Sequence, residues 1–403
     1  MRPTTSATFL ATPVRSEIRR AIVAVFVART AANAGLRVVY PFLPAIARGL
    51  SVSVPMLAAV VALRNLGGLT TPLIARLAER TGRRRLMVAA MVAVTAGCAL
   101  SAATSSFAVA AAGIVVVGIA KPGFDIPMQA WFGDRVPFSE RGRVLGITEL
   151  TWALSLVVIV PASGFLIAAT SWRAPFVLVS LFAGAGTLAV LRGIDSDVPH
   201  KREPRPLTLT SPRRLMLAAA VLFSIAAEIP FVVYGQWLEG TFSLSVSGIG
   251  LFTLVVVAAE LSGEALVAAV SDRVGIRRMI IFGLVISAVA YASFSLTGDS
   301  LVRAIVTVAV WIAAFECTIV ATIPFVSELA AESRDRLLSL LAVAISLGRA
   351  SGALLGQPLY SLGGIGLATG LSALCALAAL FLVQRAGRTP KSVRFRQGPA
   401  PRG

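Results

Sequence analysis

Twelve blocks of mostly apolar residues follow one another along this chain, each close to or beyond the ~20 residues a membrane-spanning helix needs. They fall at about 20–45, 52–76, 86–105, 107–131, 144–169, 173–192, 214–238, 244–270, 278–297, 301–325, 337–361 and 364–386. Below they are segments 1 to 12. The shortest connections, Thr104–Phe107 and Thr170–Arg173, predict tight hairpins. The pattern predicts an all-α membrane protein of twelve transmembrane helices.

The blocks are not purely apolar. Eleven ionisable residues lie inside them: Arg29, Arg37, Arg64, Lys121, Asp125, Glu149, Glu228, Glu260, Glu264, Glu316 and Arg349. A charge at a bilayer centre carries an insertion cost of ~2.5–3.5 kcal/mol, so the set facing lipid would cost roughly 30 kcal/mol. A typical fold is held by ~5–15 kcal/mol. Most of these side chains must therefore face one another or a watery cavity, which is the arrangement of a protein that moves ions or solutes.

Composition agrees. Hydrophobic residues make up 57% and mean hydropathy is +0.84, a surface that a soluble chain could not keep wet. The net charge of +18 invites a nucleic-acid partner, but its distribution excludes one. With the amino terminus inside, 29 of the 37 Lys and Arg residues fall on the cytoplasmic side, five in the membrane and three outside, namely Arg48, Arg173 and Arg303. This asymmetry predicts cytoplasmic termini in a cell membrane and contact with anionic lipid heads. The basic start (Arg2, Arg15, Arg19, Arg20) runs into segment 1 without a small-residue cleavage site, which predicts an uncleaved anchor. Cys98, Cys317 and Cys375 lack metal-ligand spacing and predict apolar filler, and His200 lies in a polar loop. No nucleotide loop, nucleophile–base pair or metal cluster is present in the sequence, so neither an enzyme nor a cofactor is expected.

The chain repeats itself. Ala75-Arg-Leu-Ala-Glu79-Arg80-Thr-Gly82-Arg83-Arg84 follows segment 2, and Ala268-Ala-Val-Ser-Asp272-Arg273-Val-Gly275-Ile-Arg277 follows segment 8, with a shift of 193. Arg141-Gly-Arg143 and Arg334-Asp-Arg336 match at the same shift. Two matches at one offset argue for duplicated six-helix halves. The expected organisation is a cytoplasmic segment 1–19, bundles at 20–192 and 214–386, a cytoplasmic linker 193–213, and a basic tail 387–403. The prolines of Pro199-His-Lys-Arg-Glu-Pro204-Arg-Pro206 predict a flexible strap.

These motifs resemble the major facilitator superfamily over roughly residues 18–388. The loop from Glu79 to Arg84 is similar to the family's loop after helix 2, with glutamate for the usual aspartate. Gly35-x5-Pro41-Phe-Leu-Pro44 is similar to a pattern of twelve-helix drug/proton antiporters, and Val160-Pro161-Ala-Ser-Gly164-Phe165 keeps part of their segment 5 motif. Ile114 stands where many proton-coupled members carry arginine. The resemblance implies a cytoplasmic gate in which Glu79, Arg80, Gly82, Arg83 and Asp134 tie segments 2 and 4 and brace segment 11. Asp272, Arg273 and Gly275 are their counterparts in the second half. The plainer reading is a topology anchor.

The resemblance also implies that segments 1, 4, 7 and 10 line the cavity, and all four carry charge. Arg29, Asn33, Arg37 and Tyr40 form one stripe, and Lys121, Asp125 and Gln129 another. Pro122, Gly123 and Pro127 predict a kink in segment 4. Segment 7 adds Ser224 and Glu228, and segment 10 adds Glu316. Permanent salt bridges for packing are the competing account of any one of these. Glu260 and Glu264 share a face of segment 8, and two carboxylates that close in low dielectric do not both stay ionised, as a proton carrier requires. Glu149 and Asp125 are the further proton candidates, with Glu149 either near that pair or bridged to Arg349 or Arg64. Arg29 and Arg37 either attract an anion or pair with Glu228 and Glu316. Gly348, Gly352 and Gly356 predict close helix packing.

The expected function is alternating-access, proton-coupled efflux of a small organic or amphipathic compound by a monomer. One alternative is import or exchange of an anionic or zwitterionic metabolite, which Arg29, Arg37 and Lys121 would suit. The other is a membrane sensor or scaffold without flux.

Overall fold

The computed structural model describes residues 16–196, 207–330 and 333–386, without the side chains of residues 138, 139, 141–143 and 145. The strap with His200, residues 1–15, the tail 387–403 and the Arg141 and Arg143 side chains lie outside the described residues. Within them, the regular structure is helical.

Ten helical stretches are long and apolar enough to cross a membrane. One of them, Arg334–Ala386, has 53 residues, about 80 Å at 1.5 Å per residue, against a hydrocarbon core of ~30 Å. It is two passes. Gly363 and Gly364 leave helical geometry between them, with φ +64° at Gly364, which separates segments 11 and 12 where the apolar pattern does. Segment 1, Ser16–Arg37, is a further helix of spanning length and carries Arg19, Arg20, Arg29 and Arg37. The described residues thus make twelve passes.

Segment 1 departs from the expected continuous helix. It ends at Arg37, turns through 38–42, and resumes as Leu43–Gly49. Pro41 has no N–H to donate back up the helix, and Pro44 favours a fresh helix start. Segment 2 narrows to a 3₁₀ turn at Leu66–Thr70. Segment 5 carries a π-helical stretch, Ser155–Ile159, just before Pro161. A proline there removes one ladder bond, and widening the preceding turn accommodates the freed carbonyl.

Within the first half, segment 3 packs on 4 and 6, and 1 on 6; within the second, 9 packs on 10 and 12, 8 on 10, and 7 on 11. A Cβ on Gly348 or Gly352 would meet Ser224 Cβ or Glu228 Cβ at 2.7 Å, so the glycine stripe does bring segment 11 against segment 7. The halves meet through segment 2 against 11 and segment 5 against 8. These contacts come from Val54–Asn65, Leu66–Thr70 and Val160–Ala169, remote from the chain ends, and thin out along Thr71–Thr81 and Phe138–Leu154. The protein is closed on the face opposite its termini and parted on the face that carries them.

The repeat is visible in the backbone. Gly82 and Gly275 sit 193 apart, each between two helices, with φ +88° and +93°. Only glycine takes that turn without strain.

Candidate functional site

Two separate charge networks replace the single stripe expected on segment 1. The first stays within one half. Arg29 reaches Asp125 of segment 4 at 3.1 Å and Glu149 of segment 5 at 3.0 Å, and donates to the Thr148 carbonyl at 2.7 Å. Lys121 donates to Asp125 one turn along the same helix. Two bases meet two acids, which pins segments 1, 4 and 5 together. Glu149 therefore pairs with neither Arg349 nor Arg64, and Arg29 with neither Glu228 nor Glu316. Helix geometry explains the change: Arg29 lies two turns from Arg37 and on another level of the bundle. Asn33, between them, donates to Thr151 Oγ1 at 3.2 Å. Gln129 is exposed on the parted face and makes no hydrogen bond among the described residues.

The second network crosses between halves. Arg37 Nη1 donates to Glu260 Oε1 at 2.9 Å, with both side chains at least nine-tenths buried. The Arg37 guanidinium also lies 4.0 Å over the Trp152 ring. Its Nε and the Oε2 of Glu260 are buried without a partner. One turn further out, Glu228 is buried and well satisfied. It accepts from Tyr40 Oη at 2.6 Å and Asn65 Nδ2 at 2.7 Å in the first half, and from Arg349 Nε at 2.8 Å in its own. Arg64 caps the Leu36 carbonyl at 2.9 Å, an acceptor freed because the helix ends at Arg37, and lies 4.8 Å from the Tyr40 ring. A cavity of about 40 Å³ lies among Arg37, Tyr40, Asn65, Trp152, Phe231 and Arg349. That is room for water, well short of the ~300 Å³ a small-molecule site needs. A larger chamber on this path requires the halves to move.

Glu264 and Glu316 behave differently from the other buried charges. Neither makes a hydrogen bond or ion pair among the described residues. Glu264 lies one helical turn from Glu260 on segment 8. Glu316 packs against Gly263, where a Cβ would come within 2.9 Å of its own. Segments 8 and 10 thus carry three carboxylates, of which Glu260 alone bonds Arg37.

The loop after segment 2 forms only part of the expected gate. Arg83 donates to Asp134 at 2.5 Å and to the Ala130 carbonyl at 2.9 Å. Arg83 opens the helix Arg83–Ala103, so this pair joins segments 3 and 4 rather than 2 and 4. Glu79 makes no ion pair among the described residues. Arg80, Asp272 and Arg273 are exposed. The second half has no copy of the pair: Ile276 and Ser327 stand at the shifted positions. What repeats instead is a cap. Arg84 donates to the Leu191 carbonyl at 2.5 Å, and Arg277, 193 residues on, donates to the Gln384 carbonyl at 2.9 Å. Each arginine satisfies the carboxyl-terminal end of the last helix of its half.

Sequence reasoning passed over Trp152, Asn65 and Arg84. Trp152 was detectable, being three residues after Glu149 on the same helix face. Asn65 had no such signal.

A family model described as Major Facilitator Superfamily matches residues 25–226 and 216–402. An uncharacterised MFS-type transporter of Bacillus subtilis, YwfA, is 22% identical over 343 residues, covering 80% of this chain and 81% of that one. The class C tetracycline resistance protein of Escherichia coli is 25% identical over 276 residues, covering 64% and 69%. The crystal structure of a bacterial homologue of the human lysosomal transporter Spinster, in an inward-facing and unoccupied conformation, superposes with a TM-score of 0.69 at 14% identity, covering 93% and 96%. At that identity the likeness is one of fold.

Proposed function

This chain belongs to the Major Facilitator Superfamily, a multi-pass membrane carrier of small molecules, and from that premise we propose that it exports a small organic compound in exchange for protons. The observation that carries the proposal is the Arg37–Glu260 pair, 2.9 Å long, buried, and made between the two halves. Alternating access requires the halves to separate on this side. Parting two buried charges leaves each uncompensated, at a cost of several kcal/mol. A proton on Glu260 removes one of the charges and with it most of that cost. Proton binding is thereby linked to opening on the closed face, as an antiporter needs. The likeness to a tetracycline resistance protein supports the outward direction and an organic substrate. Termini in the cytoplasm, from the arginine and lysine asymmetry, make the parted face the inner one.

The anion-import alternative draws on Arg29, Arg37 and Lys121, but each of these already has a carboxylate partner. The test is Glu260→Gln in proteoliposomes. It should abolish uptake driven by a pH gradient while leaving substrate exchange measurable. Full pH-driven flux in this variant would refute the coupling role of Glu260.

A further inference from the structure

Four arginines on the face that carries the chain ends recur at the 193-residue shift. Arg20 returns as Arg213, Arg84 as Arg277, Arg85 as Arg278 and Arg192 as Arg385. They stand on segments 1, 3 and 6 in the first half and on 7, 9 and 12 in the second.

The fold gathers the first set around one junction. Arg84 Nη2 donates to the Leu191 carbonyl at 2.5 Å, which seats the start of segment 3 on the end of segment 6. A Cβ on Gly193 would lie 2.6 Å from Ala24 Cβ and 3.1 Å from the Arg20 carbonyl oxygen, so segment 1 meets the same place. Arg20, Arg85 and Arg192 are exposed there and make no side-chain hydrogen bond or ion pair among the described residues. Of the acids beside them, Glu17 pairs with Arg135 at 3.4 Å, and Asp195 is exposed. Positive charge is in excess. The second set is built alike. Arg277 donates to the Gln384 carbonyl at 2.9 Å, and Met216 of segment 7 shares a buried cluster with Ala386 of segment 12. Arg213 is engaged by the Leu329 and Thr208 carbonyls, at 2.8 and 2.7 Å, which leaves Arg278 and Arg385.

An apolar wall continues from each cluster along the membrane-spanning helices. Leu181 and Leu188 of segment 6 and Val92 of segment 3 are exposed, and the same shift gives Leu374, Phe381 and Val285, exposed likewise. Guanidinium groups at the end of a lipid-facing apolar wall suit a molecule with a phosphate at its head and hydrocarbon below. A general excess of arginine attracts anionic lipid diffusely. A cluster fixed on one helix junction, and repeated, holds single molecules.

We propose that each half carries a binding site for one anionic phospholipid. Arg20, Arg85 and Arg192 hold the phosphate in the first half, and Arg278 and Arg385 hold it, more weakly, in the second. The sites lie outside the path between the halves and are independent of what the carrier moves.

The test is native mass spectrometry of the full chain released from nanodiscs of equal parts phosphatidylglycerol and phosphatidylcholine, with a titration of each lipid. The wild type should retain two phosphatidylglycerol molecules in preference to phosphatidylcholine. Arg85→Ala/Arg192→Ala should lose the tighter one, its dissociation constant rising about 25-fold, or about fivefold per arginine. Arg278→Ala/Arg385→Ala should lose the weaker one, and the quadruple variant both. Arg76→Ala/Arg336→Ala removes the same charge from exposed positions outside the clusters and should keep both lipids. All six side chains are exposed, and matched melting temperatures in phosphatidylcholine alone exclude misfolding as the cause. Equal retention of the two lipids, or an equal loss in the Arg76→Ala/Arg336→Ala pair, overturns the proposal. An unchanged lipid count in either cluster variant removes that half's site. Inorganic phosphate that displaces phosphatidylglycerol, and raises the melting temperature as far, overturns the lipid as the ligand.

Discussion

Gly235→Ala should push the protein out of the conformation described here. Gly235 lies on segment 7 where it crosses the turn after segment 1. A Cβ there would overlap the Pro41 carbonyl oxygen and lie 3.0 Å from its carbon and 3.2 Å from the Tyr40 oxygen. Those are backbone atoms that cannot rotate aside, so the two segments must separate by on the order of 1 Å, given carbon contact distances of ~3.5–4.0 Å. Overpacking of this kind costs ~1–3 kcal/mol. The cost applies only while the halves are closed on this face, so it acts as a bias between states, a roughly 5- to 150-fold population shift toward opening there. Gly68 offers a graded comparison. Its Cβ would overlap the hydroxyl of Ser346 in the other half, but a serine side chain can turn away, so Gly68→Ala should shift less. Gly356→Ala is the control. It clashes with Val232 and comes within 3.0 Å of the Ile229 carbonyl oxygen, all inside the second half, and should lower the melting temperature without moving the halves. The readout is a double electron–electron resonance distance between spin labels replacing Arg48 and Glu239, which pair across the closed face at 2.8 Å, in a background lacking Cys98, Cys317 and Cys375. Their native pair is partly exposed, so its loss contributes at most ~1 kcal/mol. A Gly235→Ala distribution identical to that of the parent, or indistinguishable from Gly356→Ala, would refute the wedge.

Glu228→Gln leaves Arg349, whose side chain is 34% exposed, without its carboxylate; it should cost about 1–3 kcal/mol, read as a lower melting temperature, and Glu228→Gln/Arg349→Gln should recover most of it. Asp134→Asn breaks a pair whose acid is 58% exposed, so expression should stay near normal while transport slows; unchanged flux would reduce Arg83–Asp134 to a topology anchor. Arg84→Ala and Arg277→Ala each strip a cap from the end of segment 6 or 12 and should lower stability by about 1 kcal/mol alike, checked by thermal denaturation. Reporter fusions after Arg214 and after Ala386 should both register cytoplasm; a periplasmic signal from either would overturn the orientation.

The placement of the passes was legible because it depends on local composition. A block of ~20 apolar residues has nowhere to go but across a bilayer, and backbone satisfaction there demands a helix. The 193-residue shift was legible for a related reason. Gly82 and Gly275 must both take a positive φ, so the same residue recurs at the same place in each half. The breaks were only half legible: Pro41 and Pro161 mark them, yet whether a proline yields a turn, as after Arg37, or a π-helical stretch, as at Ser155–Ile159, depends on what packs against it.

The pairing of charges was not legible at all. The sequence by itself determined that most of the eleven ionisable side chains had to be kept from lipid, since burial cost is a property of each group alone. It could not say that Arg29 turns to Asp125 while Arg37 crosses to Glu260, or that Glu264 and Glu316 are left over. Residues four or eight apart on one helix look equivalent along the chain. They meet different neighbours because each turn rises 5.4 Å, enough to exchange a partner in the same half for one in the other. An ion pair is a matter of a few ångströms between residues 223 apart, as Arg37 and Glu260 are, and only the packing of the two halves brings that distance about.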